Sequence, residues 1–148
     1  MKIINHECYV SLEVARLLKE AGFDWEVNHC YPSCDSLDNS CSGYMEDLRF
    51  YHNINDGKYG GMSAPTLDVA QRWLREVKRY YVAWEFSMNI NFCGQELYDF
   101  TNISVYIFVD SEQGNICKCK LKENYKTIEE AQEAGIKKAL ELILDEEK

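Results

Sequence analysis

The chain has 148 residues, of which 46% are hydrophobic and 28% are charged, and its formal net charge is -9. Such a length and composition are typical of one soluble globular domain with a sizeable core, and the negative charge opposes nonspecific binding to phosphate backbones. No apolar run approaches the roughly 20 residues of a membrane helix, and the first residues lack a signal-peptide pattern. We therefore expect a cytoplasmic protein whose seven scattered cysteines are free thiols.

The N-terminal part, residues 1–61, predicts a helix followed by a strand. Ser11 precedes an amphipathic segment, and a serine side chain can cap the free amides of a first helical turn. Residues 23–31 then read as a strand, and residues 32–47 are rich in turn-forming residues and predict a loop. A second short strand is expected over 48–54. We expect this extension to continue the sheet of the second half or to pack beside it.

Two further helices are marked by threonines in the second half of the chain. Thr66 follows a proline and begins a helix predicted over residues 66–79. Thr127 begins the last helix, and Glu130, three residues later, matches the capping-box pattern. The chain between these helices is therefore expected to form a separate layer.

That intervening chain alternates between apolar and polar residues, as half-buried strands do. The three strands are predicted at residues 80–92, 98–109 and 116–122. The first of them places an apolar side chain on one face at every second position from Tyr80 to Phe92. The predicted fold class is α+β: an antiparallel three-stranded meander covered on one face by helices, an α-β-β-β-α core at 62–148 with an N-terminal helix-strand extension. We expect residues 1–148 to form a single domain.

A zinc site is the sharpest candidate for chemistry in this sequence. His29, Cys30, Cys34 and Cys41 lie close together in and before the predicted loop, and thiolate and imidazole groups are the ligands that zinc favours. Their spacing lacks the second close pair that structural zinc sites often use. The alternative is that Cys30, Cys34 and Cys41 are ordinary buried or loop cysteines that bind no metal. Because the spacing does not favour a closed zinc site, we expect no cofactor.

Catalysis finds little support in the sequence. A cysteine nucleophile needs a nearby base and an electropositive setting, and none of the three histidines sits in a recognisable local signature. A glycine-rich phosphate loop is also missing from the pattern. We expect that the protein is not an enzyme.

Nucleic-acid binding is the runner-up hypothesis. The order helix, three strands, helix is shared with domains that bind double-stranded RNA, which place lysines at the start of the last helix, whereas this chain has Glu129, Glu130 and Glu133 there. A different basic set exists: Arg72, Arg75, Lys78 and Arg79 on the middle helix, and Lys118, Lys120 and Lys122 on the third strand. Basic residues also stabilise a helix C-terminus, and lysines protect an exposed sheet edge, so this set has ordinary structural explanations too.

The aromatic content points to a different function. Ten tyrosines and six phenylalanines are many for this length, and half-exposed aromatic side chains favour protein interfaces. Our leading hypothesis is a non-enzymatic protein-interaction or self-association module, acting as a homodimer or with a protein partner.

Three segments resemble a known group of sequences. The segment 62–77 (MSAPTLDVAQRWLREV), the segment 127–140 (TIEEAQEAGIKKAL) and the segment 11–23 (SLEVARLLKEAGF) are similar to small uncharacterised proteins of Bacteroides-type gut bacteria and their phages. The resemblance covers about half of the residues. It implies a small α+β protein of phage or mobile-element origin, with no functional residue to carry over, and it does not include the cysteine-bearing loop.

Overall fold

The computed structural model describes residues 8–32, 44–57 and 60–148, apart from the side chains of residues 122 and 123. The described residues form three α-helices and two antiparallel three-stranded sheets, which confirms the predicted α+β class. None of these helices combines the length and the apolar character that a bilayer crossing requires.

The N-terminal extension builds a sheet of its own. Its elements are α1 (Leu12–Glu20), β1 (Val27–Tyr31), β2 (Glu46–His52), a 3-10 turn (Ile54–Asp56) and β3 (Met62–Ser63). The strand order is β2-β1-β3, with antiparallel neighbours. This sheet is separate from the second one and does not continue it. Its strand β3 lies past the boundary predicted at residues 61 and 62.

The second half contains α2 (Leu67–Trp73), a π-helical turn (Leu74–Lys78), β4 (Tyr80–Ile90), β5 (Glu96–Ser111), β6 (Gly114–Tyr125) and α3 (Ile128–Glu146). The strand order of this second sheet is β4-β5-β6, and each neighbouring pair is antiparallel. Strands β5 and β6 are longer at both ends than the sequence pattern predicts, whereas β4 begins at the predicted residue and ends at Ile90, two residues before the predicted end.

All three predicted helix starts are confirmed by side-chain caps. The hydroxyl oxygens of Ser11, Thr66 and Thr127 accept hydrogen bonds from the backbone amides three residues later, at 3.3, 3.2 and 3.1 Å. The predicted capping box differs in one detail, because the carboxylate of Glu130 accepts from the backbone amide of Lys126, at 3.3 Å, rather than from that of Thr127.

The middle helix is not one α-helix to residue 79, as predicted. Its α-helical part ends at Trp73 and is followed by the π-helical turn, which inserts an extra residue into the last turn. The helix then ends at Arg79, whose φ of 61° lies in the left-handed region that glycine usually occupies.

One continuous core joins the two sheets. Helix α3 lies on β4 and β5, and Gly135 allows it to approach the side chains of Val82 and Val105 closely. Helices α1 and α2 both contact α3. The largest buried side chains of this core include Trp73 and Phe23, whose rings meet at 5.4 Å in an edge-to-face contact.

Candidate interaction surface

Of the four predicted zinc ligands, the structure describes His29 and Cys30. His29 is flanked by oxygen acceptors on both ring nitrogens: the carboxylate of Asp47 at Nε2 and the side-chain oxygen of Asn28, 2.9 Å from Nδ1. Cys30 follows it on the same strand and is buried, and adjacent strand residues point to opposite faces. Cys34 and Cys41 lie outside the described residues. Among the residues described, no group of three or more His, Cys, Asp or Glu side chains is placed to hold a metal ion.

A cavity of about 390 Å³ lies on the first sheet, and Cys30 and His52 are among its lining residues. The imidazole Nε2 of His52 lies 3.3 Å from a carboxylate oxygen of Asp56, so an imidazole and a carboxylate are already paired there. However, His52 is opposite Val27 in the sheet, three positions from Cys30, which corresponds to roughly 10 Å along a strand. That offset exceeds the hydrogen-bond reach that a thiol and its general base need. The cavity therefore contains a thiol and an imidazole, but Cys30 and His52 are not placed as a nucleophile and its general base.

Several of the predicted nucleic-acid-binding cations lie around the C-terminal end of α3. The ammonium of Lys118 is 2.8 Å from Glu146, and that of Lys78 is 3.1 Å from Glu147. Carboxylates at a helix C-terminus are unfavourable against the helix dipole, so the two lysines compensate an acidic helix end. A phosphate group would have to displace these carboxylates.

Three other cations of the set, Arg72, Arg79 and Lys120, also have local partners. The guanidinium of Arg79 is 2.6 Å from Asp110, and that of Arg72 is 2.9 Å from Glu76. The ammonium of Lys120 lies 5.1 Å from the centre of the Tyr106 ring, in a cation–π arrangement. The two further residues of the set are Arg75, which is exposed on the π-helical turn, and Lys122, whose side chain lies outside the described residues. These contacts weaken the case for a shared phosphate-binding surface.

The most distinctive surface is the end of the β4–β5 hairpin, residues 86–100, which we call the outer ribbon. The pairing of β4 with β5 shifts between Phe86 and Ser87: Phe86 is opposite Ile103, whereas Ser87 is opposite Asp99. The extra residues of β5 form a bulge, in which Asp99 accepts hydrogen bonds from the amide and the hydroxyl of Thr101, at 2.9 and 2.6 Å. Bulges of this kind re-aim a strand.

Asn91 organises the tip of the outer ribbon. Its side-chain oxygen accepts from the backbone amides of Cys93 and Gln95, both at 3.0 Å, and its amide group donates to the side chain of Gln95 at 2.9 Å. Gly94 supplies the positive φ (79°) that the turn requires. The tip is thus a defined turn, and it holds Phe92 fully exposed at its end.

One face of the outer ribbon is apolar and uncovered. Met88, Ile90, Tyr98 and Phe100 lie on it, with Glu96 opposite Ile90 at its outer end, and the exposed fractions of Ile90 and Phe100 are both 66%. Phe100 packs against Phe86, with ring centres 4.7 Å apart, so the face continues the apolar face of the sheet. A contiguous apolar surface of this kind is unusual on a monomer, and such surfaces are typical of interaction sites.

Helix α3 covers the apolar face of β4 and β5 only as far as its own first residue. Tyr125, at the end of β6, is opposite Ile103, which is in turn opposite Phe86. Helix α3 starts three residues after Tyr125 and runs back toward Tyr80, whose hydroxyl donates to Glu146 near the helix C-terminus at 2.7 Å. Every residue of the hairpin beyond Phe86 therefore lies past the helix layer.

This outcome differs from the sequence interpretation of residues 80–92. The alternation was correct for the side on which the residues point, but only its first part belongs to the core: Tyr80 and Val82 are buried, and Trp84 and Phe86 are half-buried. From Met88 onward the same face is exposed. Strand length is the signal that could have revealed this, because a strand of 11 residues spans roughly 36 Å, more than the roughly 28 Å of the 19-residue helix that crosses it.

The few charges of the outer ribbon are engaged locally. The hydroxyl of Tyr98 donates to the carboxylate of Glu96 at 2.8 Å, and this bond raises the pKa of Tyr98 above its usual value. The carboxylate of Asp99 is held by Thr101, whose hydrogen bonds lower the pKa of Asp99. Residues 86–95 carry no charged side chain at all. The surface is therefore suited to apolar contact rather than to ion pairing.

Comparison with protein-family models, with curated proteins and with solved structures gave no match for this chain.

Proposed function

We propose that this protein is an interaction module that acts by binding protein through the outer ribbon, and not by catalysis. The observation that carries the proposal is the apolar face of Met88, Ile90, Tyr98 and Phe100, which continues the core face of the sheet beyond its helix cover. Exposed aromatic and aliphatic side chains on a fixed scaffold are the usual anchors of protein interfaces. The bulge and the Asn91 turn support this role because they fix the shape of the ribbon before binding.

The proposed compartment is the cytoplasm. Cys8, Cys93 and Cys117 are exposed free thiols, and Cys119 is a half-buried one. Free thiols at a protein surface are typical of reducing compartments.

A comparison of two single variants tests the binding role. Ile90→Lys places a charge on the outer ribbon, and Phe50→Lys places the same charge on β2, where Phe50 is likewise exposed (72%) and apolar. The tagged chain and both variants are incubated with a lysate of the source cells, and bound proteins, including further copies of the chain, are identified by mass spectrometry after cross-linking. We expect the wild type and Phe50→Lys to retain the same proteins and Ile90→Lys to lose them. If all three chains retain the same set, the outer ribbon is not the binding surface.

A further inference from the structure

We infer that the partner of the outer ribbon is a second copy of this chain, with two ribbons packed apolar face to apolar face about a two-fold axis. This inference rests on the proposed function and names the occupant of that surface. In a two-fold interface the same patch serves both partners, so the patch has to be complementary to itself. The apolar side chains of this face meet this condition, whereas a patch made only of charges of one sign does not.

The charge distribution selects this surface for self-contact. Two copies that each carry a net charge of -9 repel one another over most of their surfaces. Residues 86–95 carry no charge, and the nearby carboxylates of Glu96 and Asp99 accept hydrogen bonds from Tyr98 and Thr101. Two copies can therefore approach here with one carboxylate on each contacting face, that of Glu96 opposite Ile90, which keeps its charge although it accepts a hydrogen bond from Tyr98.

The size of the patch fits a dimer interface. An aromatic side chain alone buries roughly 150–250 Å². The ribbon exposes three such side chains, Phe92, Tyr98 and Phe100, together with Met88 and Ile90. Their exposed area approaches the roughly 800 Å² that each partner contributes to a standard interface. Covering this area by a second copy would give the apolar face of β4 and β5 the cover that α3 does not provide.

The purified chain alone provides the test. Its mass is measured by light scattering and sedimentation between about 1 and 200 µM, a range that resolves dissociation constants in the micromolar region. We expect a dimer for the wild type and for Phe50→Lys. For Ile90→Lys, which puts two lysines into each interface, we expect the dissociation constant to rise at least about 30-fold, as for an interface anchor. Phe92→Lys at the tip turn is the second variant, because that side chain is fully exposed and lies outside the strand ladder.

Circular dichroism and thermal unfolding of each variant establish that it is folded before its mass is interpreted. A wild type that stays monomeric over the whole concentration range overturns the inference. The inference is also overturned if Phe50→Lys dissociates the dimer while Ile90→Lys and Phe92→Lys leave it intact. A monomeric wild type that still captures another protein through the ribbon overturns only the identity of the partner. A monomer without ribbon-dependent capture overturns the proposed function as well.

Discussion

At the scale of single residues, Gly135 decides how closely α3 approaches the second sheet. A Cβ atom at this position would lie 2.3 Å from one methyl carbon of Val82 and 3.0 Å from one of Val105. Real Cβ atoms do not approach other carbons at the first of these distances, and the β-branched side chain of Val82 has few alternative rotamers. The glycine is therefore required by packing, although it is a poor residue for a helix interior.

We expect Gly135→Ala to lower the free energy of unfolding by about 1–2 kcal/mol. Alanine gains about 1 kcal/mol of helix propensity, but overpacking a core costs about 1–3 kcal/mol. The short distance to Val82 places the overpacking cost at this site toward the upper end of that range. Urea unfolding followed by circular dichroism measures the change. The double variant Gly135→Ala/Val82→Ala removes the clashing methyl group, so the added cost of the glycine change should vanish in the Val82→Ala background. A Gly135→Ala protein more stable than the wild type would show that the helix can move away freely.

At the scale of elements, the C-terminal end of α3 is tied to β4 and β6 through Glu146. Its carboxylate accepts hydrogen bonds from Lys118 and Tyr80, at 2.8 and 2.7 Å, and these bonds lower the pKa of Glu146 below its usual value. The pKa of Tyr80 is raised above its usual value, mainly because the ring is partly buried and also because its hydroxyl donates to Glu146. Three elements thus meet at one carboxylate.

This carboxylate should make stability depend on pH on the acid side. A group whose pKa is lower in the folded state stabilises the fold above its unfolded-state pKa, near 4.5, and the contribution is lost as the pH falls through the folded-state value. Glu146→Gln should therefore be less stable than the wild type at neutral pH, and the difference should shrink on acidification. Because the side chain is half exposed, we expect a difference below about 1 kcal/mol.

Thermal unfolding between neutral pH and about pH 3 gives the comparison. Glu112→Gln is the matched control, since Glu112 is an exposed glutamate in the β5–β6 turn. A stability difference for Glu146→Gln that persists unchanged at the lowest pH would mean that the carboxylate charge is not what stabilises this end of the helix.

At the scale of the whole molecule, the net charge and the outer ribbon act against each other. The net charge of -9 opposes association, and the apolar ribbon favours it. Salt shortens the Debye length from about 20 Å at 0.02 M to about 4 Å at 0.5 M, which screens the repulsion between copies while leaving apolar contact in place.

We therefore expect the wild-type dimer to become tighter with salt, by roughly 3- to 10-fold in dissociation constant over that range. Sedimentation equilibrium at the two salt concentrations measures this, and Ile90→Lys should remain largely monomeric at both. A wild-type dimer that weakens as salt is added would point to an interface built on ion pairs, contrary to the ribbon geometry.

Much of the fold could be predicted from the chain by local rules. The caps at Ser11, Thr66 and Thr127 are decided within a few residues, because a hydroxyl and the amide it accepts from lie three positions apart. The alternation in β4, and in β5 from Ile103 to Val109, likewise assigns side chains to faces correctly. The bulge after Asp99 breaks it, because Tyr98 and Phe100 share the face of Ile103. Local rules failed at the π-helical turn ending at Arg79, where the chain supplies no glycine to mark the left-handed residue.

The candidate site was harder to predict, since exposure is not a local property. The alternation from Tyr80 to Phe92 gives Met88 and Ile90 the same pattern as Val82, and only the position at which α3 begins separates a buried residue from an exposed one. In the same way, the basic side chains of Lys118 and Arg79 could be counted in the sequence, but their carboxylate partners lie far along the chain. The sequence by itself determined the elements, their faces and the net charge, because these depend on neighbours in the chain. Tertiary structure alone decided which apolar face stays uncovered, because cover depends on where distant elements end.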